Sequence, residues 1–452
     1  MTPHDMTPNG TTLHDRFGVP LTASDGDAVR HYDEALGKLL VLRNDPVAHA
    51  DDALAIDPGL VMAHVLKGVA FALGTERAAL PDAVAAVDAG KAVAGGATPR
   101  ELGHLAALTA WVDGRLYDAV AQWERVLVDQ PDDALAMLAS HQSDFFLGQS
   151  SELRDRVARR LPQIDRGSPL DGYYQGMYSF GLEEMGDYAR AQEAGELAVA
   201  SDPRDAWAIH AVTHVMEMTN RVDDGINWLA GRTDDWTTDS FFAVHNWWHL
   251  SLFHADRLEW AEVLHLYDSR IRDGKSTAML DLLDASSLLW RLGLQGVDVG
   301  ARWQELADVW TTHIDDGWYV FNDVHAMMAF ASAGRDDLAQ QLLAVLQRTA
   351  AGGGDNAAMT RDVGLPAAKA LLAFSRGQYA EAVELLSPIR AIAARAGGSH
   401  AQRDLLAQTL TAAAERSGNT SLARALVNER LALKPNSGLN QHWMGRVLSG
   451  AV

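Results

Sequence analysis

The segment GRLYDAVAQWERVLVDQPDD, residues 114–133, decides the fold of this chain. Within it, Ala119, Trp123, Val126 and Pro131 follow the small, aromatic, small, proline spacing of the second helix in a helix-turn-helix repeat. Small residues let two helices pack closely, and a proline cannot extend the helix that precedes it. The segment therefore predicts the end of one helical hairpin, with the next hairpin starting directly after it.

The same pattern occurs a second time in GDYARAQEAGELAVASDPRD, residues 186–205. Here Ala191, Gly195, Ala198 and Pro203 keep the same intervals, and a new helix is predicted after the proline. Two copies at matching spacing indicate a tetratricopeptide-like repeat, in which each hairpin buries its apolar face against its neighbours.

Turn-like breaks recur along the chain, each between two segments with the hydrophobic spacing of a helix. They lie at Gly148, Gly186, Asn220, Asp256, Gly296, Gly334, Gly377 and Gly418. The steps between them are 38, 34, 36, 40, 38, 43 and 41 residues. Repeats of this size predict an all-α, strongly curved tetratricopeptide-like solenoid over residues 28–445, preceded by a flexible leader over residues 1–27.

Composition and charge argue against several classes of protein. A formal net charge of −22 disfavours a nucleic-acid surface, which needs clustered lysine and arginine. The chain has no cysteine, so disulfides and thiolate metal sites are excluded. No uncharged apolar run approaches the roughly 20 residues of a membrane span, and the first residues lack the features of a signal peptide. We therefore expect a cytoplasmic protein without a nucleic-acid or membrane partner.

Several long blocks of the sequence resemble the tetratricopeptide repeat protein 38 family, in the family's order. These blocks are DAWAIHAVTHVMEM, HNWWHLSLFH, LLWRLGLQGVDVGARW, FNDVHAMMAF, TRDVGLPAAKALL, LLSPIRAIAARAGGSHAQRDLLAQTL and ERLALKPNS. The resemblance spans about residue 30 to about residue 440 and departs at Trp247, where family members often carry tyrosine. It implies a divergent tetratricopeptide-type fold and no particular reaction, so the function has to be argued from individual residues.

Polar side chains collect on the predicted first helices of the repeats, which line the concave surface and lie side by side. In the stretch HAVTHVMEMTNR, His210, His214 and Glu217 fall on one narrow arc of a helix. Later first helices add His245, Asn246, His249, Asp281, Asp284, Asn322, Asp323 and His325, followed by Arg361, Asp362, Gln402, Arg403 and Asp404. We expect these groups to converge on one groove.

The convergence predicts a binding or catalytic cluster. Its predicted catalytic members are His210, His214, Glu217, His245, His249, Asp323 and His325. The residues predicted to bind substrate are Asn246, Trp248, Asp281, Arg361 and Arg403. Ten of the thirteen tryptophans lie between residues 207 and 318. Apolar walls with a few convergent polar groups are the usual composition of a small-molecule site.

Two kinds of chemistry fit these residues. Histidines at i and i+4 can direct ring nitrogens at one ion, which makes a divalent metal such as zinc a candidate cofactor. The metal ligands would be His210, His214, Glu217, His245 and His249. The segment HAVTH lacks the glutamate of HExxH metalloproteases, so that mechanism is not supported. Metal-free acid–base catalysis is the other candidate, with Arg361 or Arg403 holding an anionic substrate.

Two further interpretations stay open. A buried histidine can serve as an ordinary core residue, although an unpaired buried polar group costs about 1–3 kcal/mol, so that a cluster favours a ligand or water. The alternative function is a scaffold that binds a peptide of a protein partner in the concave groove. We favour a small-molecule site with hydrolase-type chemistry because the polar positions are rich in histidine and aspartate. A homo-oligomer is also compatible with the sequence.

Overall fold

The computed structural model describes residues 13–449, and nearly all of their secondary structure is helical. The α-helices are α1 (Gly26–Leu40), α2 (Pro46–Ile56), α3 (Val61–Leu73), α4 (Leu80–Val93), α5 (Pro99–Val112), α6 (Leu116–Asp129), α7 (Ala134–Phe146), α8 (Ser150–Arg160), α9 (Pro169–Glu184), α10 (Tyr188–Ser201), α11 (Ala206–Met218), α12 (Val222–Ala230), α13 (Thr233–Thr237), α14 (Ala243–Asp256), α15 (Trp260–Leu266), α16 (Met279–Leu294), α17 (Arg302–Trp310), α18 (Val320–Ser332), α19 (Asp336–Ala351), α20 (Asp355–Met359), α21 (Leu365–Ser375), α22 (Tyr379–Leu386), α23 (His400–Arg416), α24 (Thr420–Leu433) and α25 (Gly438–Ser449). Short 3₁₀ segments span Arg77–Ala79, Ala94–Gly96, Leu161–Gln163, Thr311–His313 and Ser387–Ala396, and π segments span Tyr267–Ile271 and Thr360–Gly364. No helix among residues 13–449 combines the length and the hydrophobicity that a bilayer crossing requires.

Consecutive helices pack in pairs, and the pairs stack along the chain. Helix α9, for example, packs on α10, and α21 packs on α22. The first helix of a pair also contacts the first helix of the next pair: α9 contacts α11, α14 contacts α16, and α18 contacts α21. This is the arrangement of a tetratricopeptide-like helix-turn-helix solenoid, so the predicted fold class is confirmed.

A Pro-x-Asp sequence forms two junctions between neighbouring pairs. Pro131 follows the end of α6 and Pro203 follows the end of α10, where the missing N–H prevents a further helical turn. Two residues later, Asp133 and Asp205 begin the next first helices. Each of these carboxylates accepts a hydrogen bond, at 2.9 Å, from the backbone N–H three residues further on. The short junction thus ends one helix and caps the next.

The turns within pairs lie where the sequence predicts them. Positive φ angles occur at Gly148, Gly186, Asn220, Gly296, Gly334, Gly377 and Gly418. At the remaining predicted turn, which is at Asp256, the left-handed residue is Leu258 with a φ of 62°. A left-handed residue just past a helix C-terminus lets the following N–H groups bond to the last helical carbonyls.

The solenoid curves so strongly that the later helices, from α16 onward, pack against the earlier ones. The Asn322 side-chain amide donates to the Thr75 carbonyl at 3.1 Å, and the Tyr117 N–H donates to the Asp355 carboxylate at 3.0 Å. These partners are separated by 247 and 238 residues of sequence. Helix α23 also packs on both α11 and α16. The chain's own helices therefore cover the inner face of the superhelix.

Gly148 lies at one of these closing contacts, which gives a prediction. Its φ is +65°, and a Cβ at this position would lie 1.7 Å from the carbonyl oxygen of Ala394. We expect Gly148→Ala to lower the free energy of unfolding by about 3 kcal/mol, because a left-handed non-glycine residue costs about 1–2 kcal/mol and overpacking costs about 1–3 kcal/mol. Gly186→Ala is the matched control, since its φ is +79° and a methyl group there would have no other atom within 4 Å. Urea unfolding followed by circular dichroism should show that the control lowers the free energy of unfolding by only about 1 kcal/mol. Equal losses for both variants would contradict the closing contact.

Part of the predicted leader is ordered. Strand β1 (Leu13–His14) pairs antiparallel with β2 (Pro20–Leu21). In the turn between them, the buried Asp15 carboxylate accepts hydrogen bonds from two backbone N–H groups of the turn, at 3.0 and 2.9 Å. It also lies 3.8 Å from the guanidinium of Arg100 on α5. A hairpin this short has no detectable sequence periodicity, so the sequence alone does not separate residues 13–25 from a flexible leader. Residues 1–12 of the predicted leader lie outside the described residues.

Candidate metal centre

Four histidines from two first helices meet in the interior. His210 and His214 lie on α11, and His245 and His249 lie on α14, which packs against α11. The i, i+4 spacing of each pair places both rings on one helical face. Five of the six ring pairs have centroids 4.4 to 4.9 Å apart, and no residue of the four is more than 4 % exposed. The structure thus brings together four of the predicted site residues.

Two of these imidazoles are held by carboxylates. His245 Nδ1 lies 2.9 Å from each carboxylate oxygen of Asp284 on α16. His249 Nδ1 lies 3.0 Å from Oε2 of Glu217 on α11. A carboxylate at Nδ1 fixes the ring and its tautomer, and it leaves Nε2 as the nitrogen that can bind a metal ion. Within the described part of the chain, neither ring nitrogen of His210 has a hydrogen-bond partner.

Three of the histidines form a set with metal-ligand spacing. One ring nitrogen from each of His210, His245 and His249 lies within 4.8 Å of the others. Imidazole nitrogens bind zinc at about 2.0–2.1 Å, so a small inward movement of the rings would complete a three-nitrogen site. The donor set, three imidazoles with carboxylates behind two of them, fits a divalent transition metal such as zinc.

Protonation differs among the histidines. Burial, together with the neighbouring imidazoles, holds the pKa values of His210 and His249 well below the usual range, so both rings are neutral, as metal ligands must be. Burial also tends to lower the pKa of His214, but the Glu183 carboxylate outweighs it and raises that pKa. In the same way, His214 outweighs burial and lowers the pKa of Glu183. His214 and Glu183 therefore form a buried ion pair, with His214 Nδ1 at 3.4 Å from Glu183 Oε2.

Two predicted substrate residues are part of the surrounding packing. The Trp248 ring stacks on His245 at a centroid distance of 5.2 Å, and its Nε1 donates to the Ser287 hydroxyl at 2.8 Å. Asn246, also on α14, is fully buried, and no hydrogen bond from a described residue reaches its amide. Trp248 therefore forms a wall of the histidine cluster.

No hydrogen bond or ring contact joins His325 or Asp323 on α18 to the four histidines in the described part of the chain. His325 Nδ1 donates to the carbonyl of Phe321 one turn earlier at 2.8 Å, and its ring packs on the Phe321 ring. Burial lowers the pKa of His325 to about 4 and raises that of Asp323 to about 7. The charged neighbour that acts on Asp323 is Asp316, not a histidine of the cluster. Charge connects the two regions indirectly, because the Arg291 guanidinium on α16 also lowers the pKa values of both His325 and His249. That Asp323 and His325 share the cluster stays a prediction.

Two more predicted residues make no hydrogen bond to the cluster among the described residues, although Asp281 is close enough to His245 for the imidazole to oppose the rise that burial causes in the pKa of Asp281. Asp284, one turn after Asp281 on α16, is the residue that meets His245; no hydrogen bond joins Asp281 to an imidazole in the described part of the chain. The Arg361 side chain is 57 % exposed and pairs with Asp362 at 3.6 Å. It is not among the residues that line the neighbouring pocket.

An open pocket of about 760 Å³ adjoins the cluster through Glu217. Oε2 of Glu217 meets His249, while Oε1 lies 3.7 Å from the Lys434 ammonium. The pocket is lined by the cationic Arg390, Arg403, Arg430 and Lys434 and by the carboxylates of Glu217 and Asp404. Each cation has a carboxylate partner: Arg390 pairs with Glu429, Arg403 with Glu184, Arg430 with Asp404 and Lys434 with Glu217. A small anionic molecule would therefore bind through the remaining N–H donors of these side chains. Arg403, a predicted substrate residue, is therefore beside the centre.

Sequence reasoning missed two acidic residues next to the cluster. Glu183 and Glu184 end helix α9, and they are 0 % and 4 % exposed. The His400 N–H donates to Glu184 at 2.6 Å, and Arg403 donates to it at 2.8 Å. The available signal was two adjacent glutamates among apolar residues at the end of a helix. Their closeness to His214, however, depends on how α9 packs on α11.

A buried histidine outside the cluster gives a pH-dependent prediction. His141 on α7 is fully buried, and burial lowers its pKa to about 3. Its unfolded pKa is about 6.5, so the stability linked to it is complete above that pH and is lost as the pH falls toward 3. Between pH 7 and pH 4 the wild type should lose about 3 kcal/mol that His141→Leu does not lose. Urea unfolding of both proteins at each pH measures the difference in their free energies of unfolding, in which the contributions of all other titrating groups cancel. The same pH dependence in both proteins would contradict a neutral buried His141.

Comparisons with known proteins give limited additional information. No family model matches the sequence. The crystal structure of yeast Tom70 is similar to this chain with a TM-score of 0.35 and 11 % identity, covering 94 % of this chain and 87 % of the other. The structure of Naa15/Naa10 bound to HypK-THB is similar with a TM-score of 0.26 and 13 % identity, covering 94 % of this chain and 72 % of the other. The site is therefore argued from this chain's own side chains.

Proposed function

We propose that this helical-repeat protein binds a divalent transition metal such as zinc at its buried histidines and catalyses hydrolase-type chemistry on a small anionic molecule. The observation that carries the proposal is the set His210, His245 and His249, whose nitrogens lie within 4.8 Å of one another. Asp284 and Glu217 hold the Nδ1 atoms of two of these rings. Imidazoles oriented in this way by carboxylates are typical of metal ligands.

The connection between the cluster and the pocket supports the catalytic part of the proposal. Glu217 contacts His249 with one oxygen and faces Lys434 in the pocket with the other. A metal ion lowers the pKa of a bound water molecule, and a nearby carboxylate can accept its proton. Lys434 and Arg403 would hold the anionic group of the substrate through charge-assisted hydrogen bonds.

Metal content and metal-dependent turnover test the proposal. Protein purified without a histidine tag is expected to retain at least one metal ion per chain by mass spectrometry. Hydrolysis of p-nitrophenyl phosphate or of p-nitrophenyl esters of dicarboxylic acids should be lost after chelation and restored by zinc. Lys434→Ala should raise KM about tenfold, the effect of losing one charge-assisted hydrogen bond, whereas Lys369→Ala, on an exposed position of α21, should not. Wild-type protein that binds no metal would overturn the proposal.

The alternative is a scaffold for a protein partner, which the helical-repeat fold by itself favours. Leu433 on the lining of the same pocket is 75 % exposed and lies beside the cationic residues. A peptide with acidic and apolar residues would fit this surface. A defined protein bound by the metal-free wild type and lost with Leu433→Asp would favour the scaffold. The resemblance to the tetratricopeptide repeat protein 38 family is also retained as a proposal, and it assigns no reaction to either alternative.

A further inference from the structure

A second group of metal-binding side chains adjoins the three-histidine set. It consists of His214 on α11 with Glu183 and Glu184 on α9, and one ligand atom of each lies within 4.8 Å of the others. The centroid of the His214 ring is 4.4 Å from that of His210 and 4.6 Å from that of His249. The two groups are therefore in direct contact, with His214 between them.

Glu183 is buried with a counter-charge nearby but without hydrogen bonds from the described residues. It is 0 % exposed, and neither of its carboxylate oxygens has a hydrogen-bond donor within the described residues. Among the described residues, the ring nitrogens within 4 Å of it are Nδ1 of His214, at 3.4 Å, and Nδ1 of His400, at 3.8 Å. A buried carboxylate needs hydrogen bonds, a counter-charge or a metal ion to offset the loss of hydration. In the metal-free protein His214 supplies the counter-charge. A bound cation would replace it, and the His214 proton would be released on binding.

Glu184 has the supporting contacts of a metal-binding carboxylate. Its Oε1 accepts the backbone N–H of His400 at 2.6 Å, and its Oε2 accepts Arg403 Nη2 at 2.8 Å and the Ser150 hydroxyl at 3.2 Å. Carboxylates that bind metals are commonly held by such hydrogen bonds, and Oε1, which accepts only one of them, has a further lone pair. These contacts fix Glu184 beside Glu183, at the end of α9.

The second group is also connected to the pocket. His400 and Arg403, which contact Glu183 and Glu184, both line it. The His400 side chain is 35 % exposed, so solvent reaches to within one side chain of Glu183. An ion at Glu183 would therefore lie between the three-histidine set and the surface on which an anionic substrate is proposed to bind.

We infer that His214, Glu183 and Glu184 hold a second divalent metal ion and that the centre is dinuclear. The inference rests on the proposed function, because the first ion is the one assigned to His210, His245 and His249. Three imidazoles suit zinc, whereas one imidazole with two carboxylates also suits manganese or iron(II). Two ions about 3.5–4 Å apart can stabilise both the attacking and the leaving oxygen in a hydrolytic displacement. The substrate class indicated is an anionic ester or phosphoester.

Metal stoichiometry tests the inference. The full chain, untagged and stripped with a chelator, is titrated with cobalt(II), and the cobalt per chain is measured after gel filtration. We expect two ions per chain in the wild type and one in Glu183→Gln. Glu415→Gln is the matched control, because Glu415 is also buried and hydrogen-bonded but contacts Trp443 and Arg446 on α25. The control should keep both ions.

Electron paramagnetic resonance of the cobalt-loaded wild type is the second measurement. Two neighbouring cobalt ions should be magnetically coupled, and this readout does not require Glu183→Gln to fold. One ion per chain, or two uncoupled ions, would overturn the second site and leave the proposed function intact. No bound ion in the wild type would overturn both. Two coupled ions that persist in a folded Glu183→Gln would remove Glu183 from the site and overturn the inference as stated.

Discussion

Replacing His249 by alanine is expected to lower the zinc affinity of the chain by at least about 100-fold, because a carboxylate that only orients a metal ligand already contributes about 10–100-fold. His249 supplies one of the three clustered nitrogens, and Glu217 holds its ring from the other side. A competition titration against a chromophoric chelator, starting from metal-free protein, measures the affinity directly. Circular dichroism of the metal-free variant shows whether the fold persists.

Two variants calibrate this result. His254→Ala changes a histidine on the same helix that pairs with Glu259 outside the cluster, and it should leave the affinity unchanged. Asp284→Asn keeps His245 but weakens the contact that orients it, so an intermediate loss of about 10–100-fold is expected. The loss of zinc affinity is expected to increase in the order His254→Ala, Asp284→Asn, His249→Ala. Equal affinities in all four proteins would show that the imidazoles are core residues and not ligands.

Much of the fold could be predicted because its determinants are local. Pro131 ends a helix through its missing N–H, and Gly148 occupies a left-handed turn, so both are recognisable without knowledge of the rest of the chain. The same holds for the pairs 210/214 and 245/249, whose i, i+4 spacing defines a helical face. Their meeting required only that consecutive first helices lie side by side, which the repeat architecture provides.

The remaining parts of the site depend on distances that no local pattern encodes. Whether Asp281 or Asp284 meets His245 is decided by the rotation of α16 against α14, and the structure selects Asp284. Glu183, which contacts His214, belongs to the preceding pair of helices. His400, which donates to Glu184, lies 216 residues after it in the sequence. The curvature that brings α23 onto α11 accumulates over many repeats. Small errors in each repeat would therefore change which side chains share the centre.

The second large effect is expected at Asp133, which joins the start of α7 to the preceding pair, α5 and α6. Its carboxylate is fully buried, and Oδ2 accepts hydrogen bonds from Arg100 Nε at 2.5 Å and from His104 Nε2 at 2.8 Å. Trp123 Nε1 donates to the other ring nitrogen of His104 at 3.1 Å, which fixes the proton on Nε2. Burial opposes ionisation of Asp133, but Arg100 and His104 outweigh it and hold its pKa far below the usual range.

Asp133→Ala is therefore expected to lower the free energy of unfolding by about 4 kcal/mol, measured by urea denaturation. Removing one partner of a buried ion pair costs about 3–5 kcal/mol, because the guanidinium of Arg100 would stay buried without its main counter-charge. Asp205→Ala is the matched control. Asp205 caps α11 with the same geometry but has no ion pair among the described residues, and burial raises its pKa to about 7, so only about 1 kcal/mol of capping should be lost. Equal losses of stability for the two variants would mean that helix capping, and not the buried ion pair, stabilises the junctions. A loss confined to Asp133 would mean that the stack depends on this buried charge network, which links Trp123 of the second helix in one pair to the start of the next.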